Sequence, residues 1–394
     1  MSVPARLEIP DEVLEIARTL EAAGHEVWCV GGALRDHLLG DLHSDIDFAT
    51  SARPEDVRKL FRRTAAVGIK YGTVGVLDRN RVLHEVTTFR RDVSTDGRHA
   101  VVEYGVTLEE DLARRDFTIN AIAYHPLRGE WRDPFGGAED LERRVVRAVG
   151  DPAERFREDY LRILRAVRFA ARFGFEIDPA TWEAARAAAP GLARLSAERV
   201  RDEWLKGLAT AQDPGELVRL WIEVGAASVW LPELLGSARP VDRVAARAGP
   251  RDPVRLTAVY TSNPVASLSR LKASNAESAR VSAIVAGPPA PEGDSEAAVR
   301  RWVATVGNAA DDLLAMHLLR HGAEAPWTST VRAARDRGDP VSRAQLAIDG
   351  RDVQALGASG PRVGDVLSQL LDRVLTDPSL NTRETLLALA REIV

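Results

Sequence analysis

Val30-Gly31-Gly32-Ala33-Leu34-Arg35-Asp36-His37-Leu38-Leu39-Gly40, with Asp45-Ile46-Asp47-Phe48-Ala49-Thr50 close behind, is the segment from which the rest of the chain can be read. The apolar run Val27 to Val30 predicts a buried strand, the paired glycines a tight turn, and Ala33 to Leu39 a short helix ended by Gly40. Backbone N–H groups at a helix start attract anions, and Arg35 can add a fork of charged donors to the same oxygens. Asp45 and Asp47, two apart in an extended run, project from one face. Paired carboxylates repel unless a cation lies between them, and hard oxygen ligands suit Mg²⁺ carrying phosphates. A solvated turn acid and a helix cap are the plainer alternative. Together the two segments point to metal-dependent chemistry on a nucleoside triphosphate.

An amphipathic helix is predicted from Asp11 to Ala23, and another from Pro54 to Arg63 with Thr50 or Ser51 near its start as a cap. Strands are expected at Ala65 to Ile69, Thr73 to Leu77 and Val82 to Phe89, the last two joined by the turn Asp78-Arg79-Asn80-Arg81. Glu85 shares a strand face with Leu83 and Thr87. It could complete a three-acid metal site with Asp45 and Asp47 and help deprotonate a hydroxyl, or it could be an edge acid facing water. Arg91 to Val106 is polar and reads as a mobile loop, in which His99 has no ligand at metal spacing. Glu109 to Ala121 follows a helical pattern that groups Arg114, Arg115, Asp116, Thr118 and Asn120. That mixture suits a nucleotide, with Arg115 for phosphate or sugar and Asp116 and Asn120 for ribose hydroxyls. Asp133-Pro134-Phe135-Gly136-Gly137 forms a turn that closes the α/β part.

At 394 residues with 45% hydrophobic content, the chain has material for two or more domains. A single cysteine, Cys29, excludes an internal disulfide framework and fits a reducing compartment. No run approaches the roughly 18 apolar residues of a membrane span, and residues 1–10 lack an export signal, so a cytoplasmic protein is expected. The net charge of −5 hides a local reversal, because residues 143–172 hold nine arginines against four acids. Such a patch can bind phosphates on an acidic protein, although a solvated helix face is the alternative.

Five ordered motifs now stand out: Gly31-Gly32-Ala33-Leu34-Arg35-Asp36; Asp45-x-Asp47; Arg114 to Ala121; Asp133 to Gly137; and Glu158-Asp159-Tyr160-Leu161-Arg162 with Arg165-Ala166-Val167-Arg168-Phe169. This order resembles the bacterial tRNA nucleotidyltransferase/poly(A) polymerase family, class II of the polymerase-β-like nucleotidyltransferases. Glu198 to Glu203 resembles its neck-helix motif more weakly. The resemblance implies an α+β head with a five-stranded sheet over residues 1–140. A helical neck at 141–210, a body at 211–286 and a tRNA-binding tail at 287–394 would follow.

By residue-for-residue match, Asp45 and Asp47 would bind Mg²⁺, Gly32 and Arg35 would hold the triphosphate, and Arg115 and Asp116 would contact the nucleotide. Asp159 and Arg162 would pair with the Watson–Crick edge of cytosine or adenine, with Arg165 and Arg168 toward the phosphates. An acid plus an arginine supplies an acceptor and donors for either base, whereas guanine and uracil present a carbonyl where the acid needs an amino group. On one helix the two residues would be adjacent at i,i+3. The implied reaction is untemplated addition of C, C and A from CTP and ATP to the tRNA 3′ end. Partial CC or A addition, poly(A) synthesis and an inactive binding relative are the alternatives, and no obligate protein partner is indicated. Trp182, Trp204, Trp221 and Trp230 are expected in helix packing, and Gly287 to Asp294 is either a joint separating body from tail or a simple surface loop.

Overall fold

The computed structural model describes residues 4, 6–41, 46–95, 100–235 and 251–394. Asp45 and His99 lie outside them. Two compact units divide the chain, residues 1–235 and 236–394. In the first, helix α1 (Asp11–Ala22) leads to β1 (Val27–Val30), α2 (Gly32–Leu38) and β2 (Asp47–Thr50). Then come α3 (Pro54–Leu60), β3 (Thr64–Ala65), β4 (Thr73–Leu77) and β5 (Leu83–Thr88). The hairpin β6 (Arg90–Thr95) and β7 (Ala100–Tyr104) precedes α4 (Leu108–Ala113), β8 (Ala123–His125), β9 (Glu130–Arg132) and α5 (Gly137–Arg143).

Seven strands form one mixed sheet in the order β3-β4-β5-β2-β1-β8-β9. The expected five-stranded sheet is therefore widened by two short edge strands, β3 of two residues and β9 of three. Its pairs are antiparallel except β2 with β5, which run parallel with Phe48 opposite Val86.

Period-two alternation divides the work between the two faces. Val27, Cys29, Phe48, Val74, Val76, Val86 and Tyr124 join Val13, Ile16, Leu20 and Val57 in one core. Trp28, Val30, Ala49 and Ala123 pack with Leu108 and Leu112 in another. Asp47 alternates with Phe48, and Glu85 with Val86. Both acids therefore lie on the face turned away from the first core.

Several local expectations are corrected. The helix from Pro54 ends at Leu60 because Phe61 is extended (φ −112°, ψ 128°). Neither proposed cap acts on it, since the Ser51 Oγ accepts from the Glu26 N–H and the Thr50 hydroxyl donates to the Glu26 carbonyl. The strand expected at Ala65 to Ile69 is replaced by β3 and a turn of 3₁₀ helix at Ile69–Tyr71. Arg91 to Val106 is largely a paired hairpin rather than a loop. The helical pattern at Glu109 to Ala121 stops at Ala113, with a 3₁₀ turn at Thr118–Asn120.

The turn at Asp133 forms as expected, its carboxylate accepting from the N–H groups of Gly137 and Ala138 at 2.7 and 2.8 Å. A Cβ at Gly137 would lie 2.2 Å from the Thr118 carbonyl oxygen and 2.8 Å from Ile122. Backbone cannot retreat as a side-chain tip can, so Gly137→Ala is expected to cost about 2–3 kcal/mol. Urea unfolding would measure it, and a midpoint equal to wild type would refute the clash.

Helices complete the first unit. After β10 (Val145–Val146) come α6 (Pro152–Glu158), α7 (Leu161–Phe173), β11 (Glu176–Ile177), α8 (Pro179–Ala188) and α9 (Ala197–Thr210). Trp204 and Trp221 are fully buried, edge to face at 4.9 Å, while Trp230 Nε1 donates to the Leu192 carbonyl. These contacts are core packing. The second unit is helical over its described residues. One of its cores is built from Leu346, Val353, Val366, Leu370, Val374 and Leu386. Among the described residues no helix is long and apolar enough to cross a membrane.

Candidate active site

A cavity of about 690 Å³ opens on the sheet face that carries Asp47, bounded by α2, α7 and α9. Eleven residues singled out from sequence line it: Gly32, Arg35, Asp47, Glu85, Arg115, Asp116, Asn120, Asp159, Arg162, Arg165 and Arg168. The twelfth, Asp45, is outside the described residues. Eight arginines and Lys206 line this cavity against four carboxylates, Asp47, Glu85, Asp116 and Asp159. A surplus of five cations on a chain of net charge −5 marks a site for an anion.

Asp47 and Glu85 meet across the parallel pair β2 and β5, where the Glu85 N–H donates to Asp47 Oδ1 at 3.4 Å. Burial and then the Glu85 charge push the Asp47 carboxyl up to about 6. Both groups offer hard oxygen donors, so the pair fits a divalent ion such as Mg²⁺. Among the described residues no group of three His, Cys, Asp or Glu side chains could hold a metal ion.

Arg35 differs from its expected role. Its side chain is buried (4% exposed), with Nε and Nη2 held by Asp36 Oδ1 at 2.8 and 2.7 Å and Nη1 donating to Asn120 Oδ1 at 2.5 Å. Its guanidinium lies 5.0 and 4.8 Å from the ring centres of Phe169 and Phe173. Three of its nitrogens are thus engaged inside the protein, and it braces α2 against α7. Helix α2 is only seven residues long, so its dipole is minor beside the surrounding guanidinium groups. Gly31, at φ 79°, turns the chain into α2, and a Cβ there would approach Arg115 Nη1 to 3.2 Å. Arg115 lines the cavity, and its Nε is buried with no hydrogen-bond partner.

A chain of ion pairs ties the remaining residues. Asn120 Nδ2 and the Phe117 N–H donate to Asp116 Oδ1 at 2.9 Å, and Arg165 Nε donates to Asp116 Oδ2 at 2.7 Å. Burial raises the Asp116 carboxyl, but Arg165 and the amide of Asn120 outweigh it and bring it down to about 2. Arg168, 3% exposed, donates to Glu203 Oε2 at 2.5 Å, and its guanidinium lies 4.3 Å from the centre of the Phe169 ring. It serves the cavity from behind its surface.

Asp159 and Arg162 do not form the expected i,i+3 pair on one helix. Asp159 stands in the break between α6 and α7, accepting from the Leu161 N–H at 3.0 Å and from Arg199 Nη2 at 2.7 Å. Arg162 donates to Glu158 Oε2 at 2.7 Å and to the Arg114 carbonyl at 2.9 Å. Both still face the cavity.

Arg114, grouped with Arg115 from sequence, lines it too, whereas Arg90, Arg172 and Lys206 also line it and were missed, as were the supports Arg199 and Glu203. The spacing of Arg199, Glu203 and Lys206 at i, i+4 and i+7 is a single helix face that could have flagged them.

Residues 27–147 match the poly A polymerase head domain, and residues 174–236 match the probable RNA and SrmB-binding site of polymerase A. The chain is 42% identical over 250 residues to the CCA-adding enzyme of Anoxybacillus flavithermus and 47% over 210 residues to that of Leuconostoc mesenteroides. These stretches cover 60% and 52% of this chain, and 62% and 52% of those relatives. A solved structure, the Bacillus stearothermophilus CCA-adding enzyme in complex with CTP, matches with TM-score 0.76 and 32% identity over 97% of this chain and 96% of that one. The Thermotoga maritima CCA-adding enzyme complexed with tRNA shares the fold, with TM-score 0.68 and 20% identity over 99% and 97% of the two chains. The chain belongs to the family of CCA-adding enzymes and poly(A) polymerases.

Proposed function

We propose that this protein adds C, C and A to the 3′ end of tRNA from CTP and ATP without a nucleic-acid template, releasing pyrophosphate. The observation that carries the reading is the cation-lined cavity with Asp47 and Glu85 in contact at its floor. Likeness along nearly the whole chain to a CCA-adding enzyme in complex with CTP supports it.

In this reading Asp47, with Asp45, would hold Mg²⁺. When bound, the ion would favour the ionised hydroxyl and offset charge on the phosphates. Arg115 would meet the triphosphate over the Gly31-Gly32 turn, with Arg165 and Arg168 behind it. Arg35 would keep Asn120 in place beside Asp116 at the ribose. Asp159 and Arg162 would read the base edge. The RNA 3′-hydroxyl oxygen attacks the α-phosphorus as the bond to the pyrophosphate oxygen breaks, and its proton passes toward Glu85. The domain plan of head (1–140), neck (141–210), body (211–286) and tail (287–394) goes with this reading, the tail serving tRNA. The reaction belongs to the cytoplasm, as the single, buried thiol suits. The resemblance implies that CC-adding relatives lack a lever segment at the position of residues 91–106, so the hairpin β6–β7 there favours the full reaction over CC addition alone.

Labelled CTP and ATP, supplied with Mg²⁺ to tRNA transcripts ending before CCA, after C and after CC, test the proposal. The expected result is completion to CCA followed by a stop. A halt after CC, addition of only the final A, or a growing A ladder would each replace it with one alternative, and no incorporation would overturn it.

A further inference from the structure

Asp111 lies on α4 outside the cavity lining, is fully buried, and belongs to none of the groups assigned above. Its Oδ1 accepts from Arg114 Nε at 3.0 Å and from the Arg90 N–H at 3.3 Å, and its Oδ2 accepts from Arg115 Nη2 at 3.2 Å. Arg90, Arg114 and Arg115 all line the cavity, and Arg90 opens the hairpin β6–β7. Burial alone would raise this carboxyl, but Arg114 and Arg115 outweigh it and hold it ionised. α4 is fixed at its start by a capping box of Thr107 and Glu110, so the carboxylate sits on an anchored element.

We infer that Asp111 is a positioning residue for nucleotide binding, one buried carboxylate that sets the direction of Arg115 and ties the base of the hairpin to it. The geometry is economical. A guanidinium on a free side chain samples many rotamers, and ordering it at each binding event costs affinity. With Nη2 held by Asp111 and Nη1 by the Asn120 carbonyl at 3.3 Å, Arg115 is already ordered where it lines the cavity. The same carboxylate accepts the first N–H of the hairpin, so a shift of the hairpin base and a shift of Arg115 are one event.

The inference rests on the nucleotide reading of the cavity, and the test separates the two. Equilibrium binding of CTP to the full chain is measured for wild type, Asp111→Asn, Arg115→Ala and the double variant, alongside incorporation kinetics and thermal unfolding. Asp111→Asn is expected to weaken CTP at least tenfold, raising KM while kcat at saturating CTP stays within about threefold of wild type. The double variant should bind CTP no worse than about twofold below Arg115→Ala, because Asp111 acts through that arginine. CTP affinity within twofold of wild type in folded Asp111→Asn, or losses that simply multiply in the double variant, would overturn the inference. If Asp111→Asn does not fold, Asp111→Glu displaces the carboxylate by one methylene and should weaken CTP several-fold, with unchanged affinity again fatal. Wild type that binds CTP yet transfers nothing to tRNA would sink the proposed function and leave the Asp111 comparison intact; wild type that does not bind CTP sinks both.

Discussion

Asp47→Asn is expected to reduce nucleotide incorporation by about a thousandfold or more while making the metal-free protein more stable at pH 8. The first effect follows from the loss of a hard anionic ligand where phosphates and a divalent ion must meet, a change on the scale of several kcal/mol in the barrier. The second follows from burial. The folded carboxyl titrates near 6 against an ordinary 3.8, so the folded state resists ionisation that the unfolded chain accepts freely. Asp47 therefore costs nothing below about pH 4 and reduces stability as the pH rises through 6. Partial solvent access screens this to on the order of 1–2 kcal/mol. The Asn side chain keeps an oxygen for the Glu85 N–H and carries no charge. Melting curves in chelator at pH 4 and pH 8 decide it: equal midpoints at pH 4 and a higher midpoint for the variant at pH 8 are expected. A destabilised variant at pH 8 would contradict the account.

Asp159→Ala should collapse base selection. Held by Arg199 and the Leu161 N–H, the Asp159 carboxylate has lone pairs left to accept from the exocyclic amino group of cytosine or adenine. Guanine or uracil would bring a carbonyl against a fixed anion, and rejection built on such unpaired groups can reach several orders of magnitude. With alanine there, kcat/KM for CTP and ATP is expected to fall about a hundredfold. The values for UTP and GTP should fall far less, narrowing the ratio by about two orders of magnitude. Single-turnover incorporation of each nucleotide reads this directly, and a ratio unchanged from wild type would remove Asp159 from base recognition.

Strong periodicity made part of this molecule readable in advance. β1 and β4 have the expected bounds, because continuous apolar or alternating residues leave one solution for a buried strand. Expectations failed where side chains compete with the backbone or where neither face is apolar. The hydroxyls of Thr50 and Ser51 bind Glu26 instead of capping α3. Asp159 accepts its own Leu161 N–H and so stands in a chain break rather than on a helix, a local bond that spacing does not reveal. The hairpin β6–β7 carries no alternation of apolar residues, so its pairing was hidden. Residue types around the cavity were legible because they fall in the ordered motifs that carry the family resemblance. The ion-pair partners Asp36, Asp111, Arg199 and Glu203 were not, since long-range pairing depends on how α4, α7 and α9 come to the sheet.

Those pairings govern how tightly a ligand can hold. Arg115, Arg162, Arg165, Arg168 and Arg172 already face Asp111, Glu158, Asp116, Glu203 and Asp36. An incoming triphosphate exchanges one anion for another instead of discharging bare cations, so much of the attraction is cancelled before contact. In the proposed reaction grip would be sacrificed and turnover gained: pyrophosphate would depart after each transfer as the carboxylates take back their arginines, leaving the pocket ready for a different nucleotide on the next cycle.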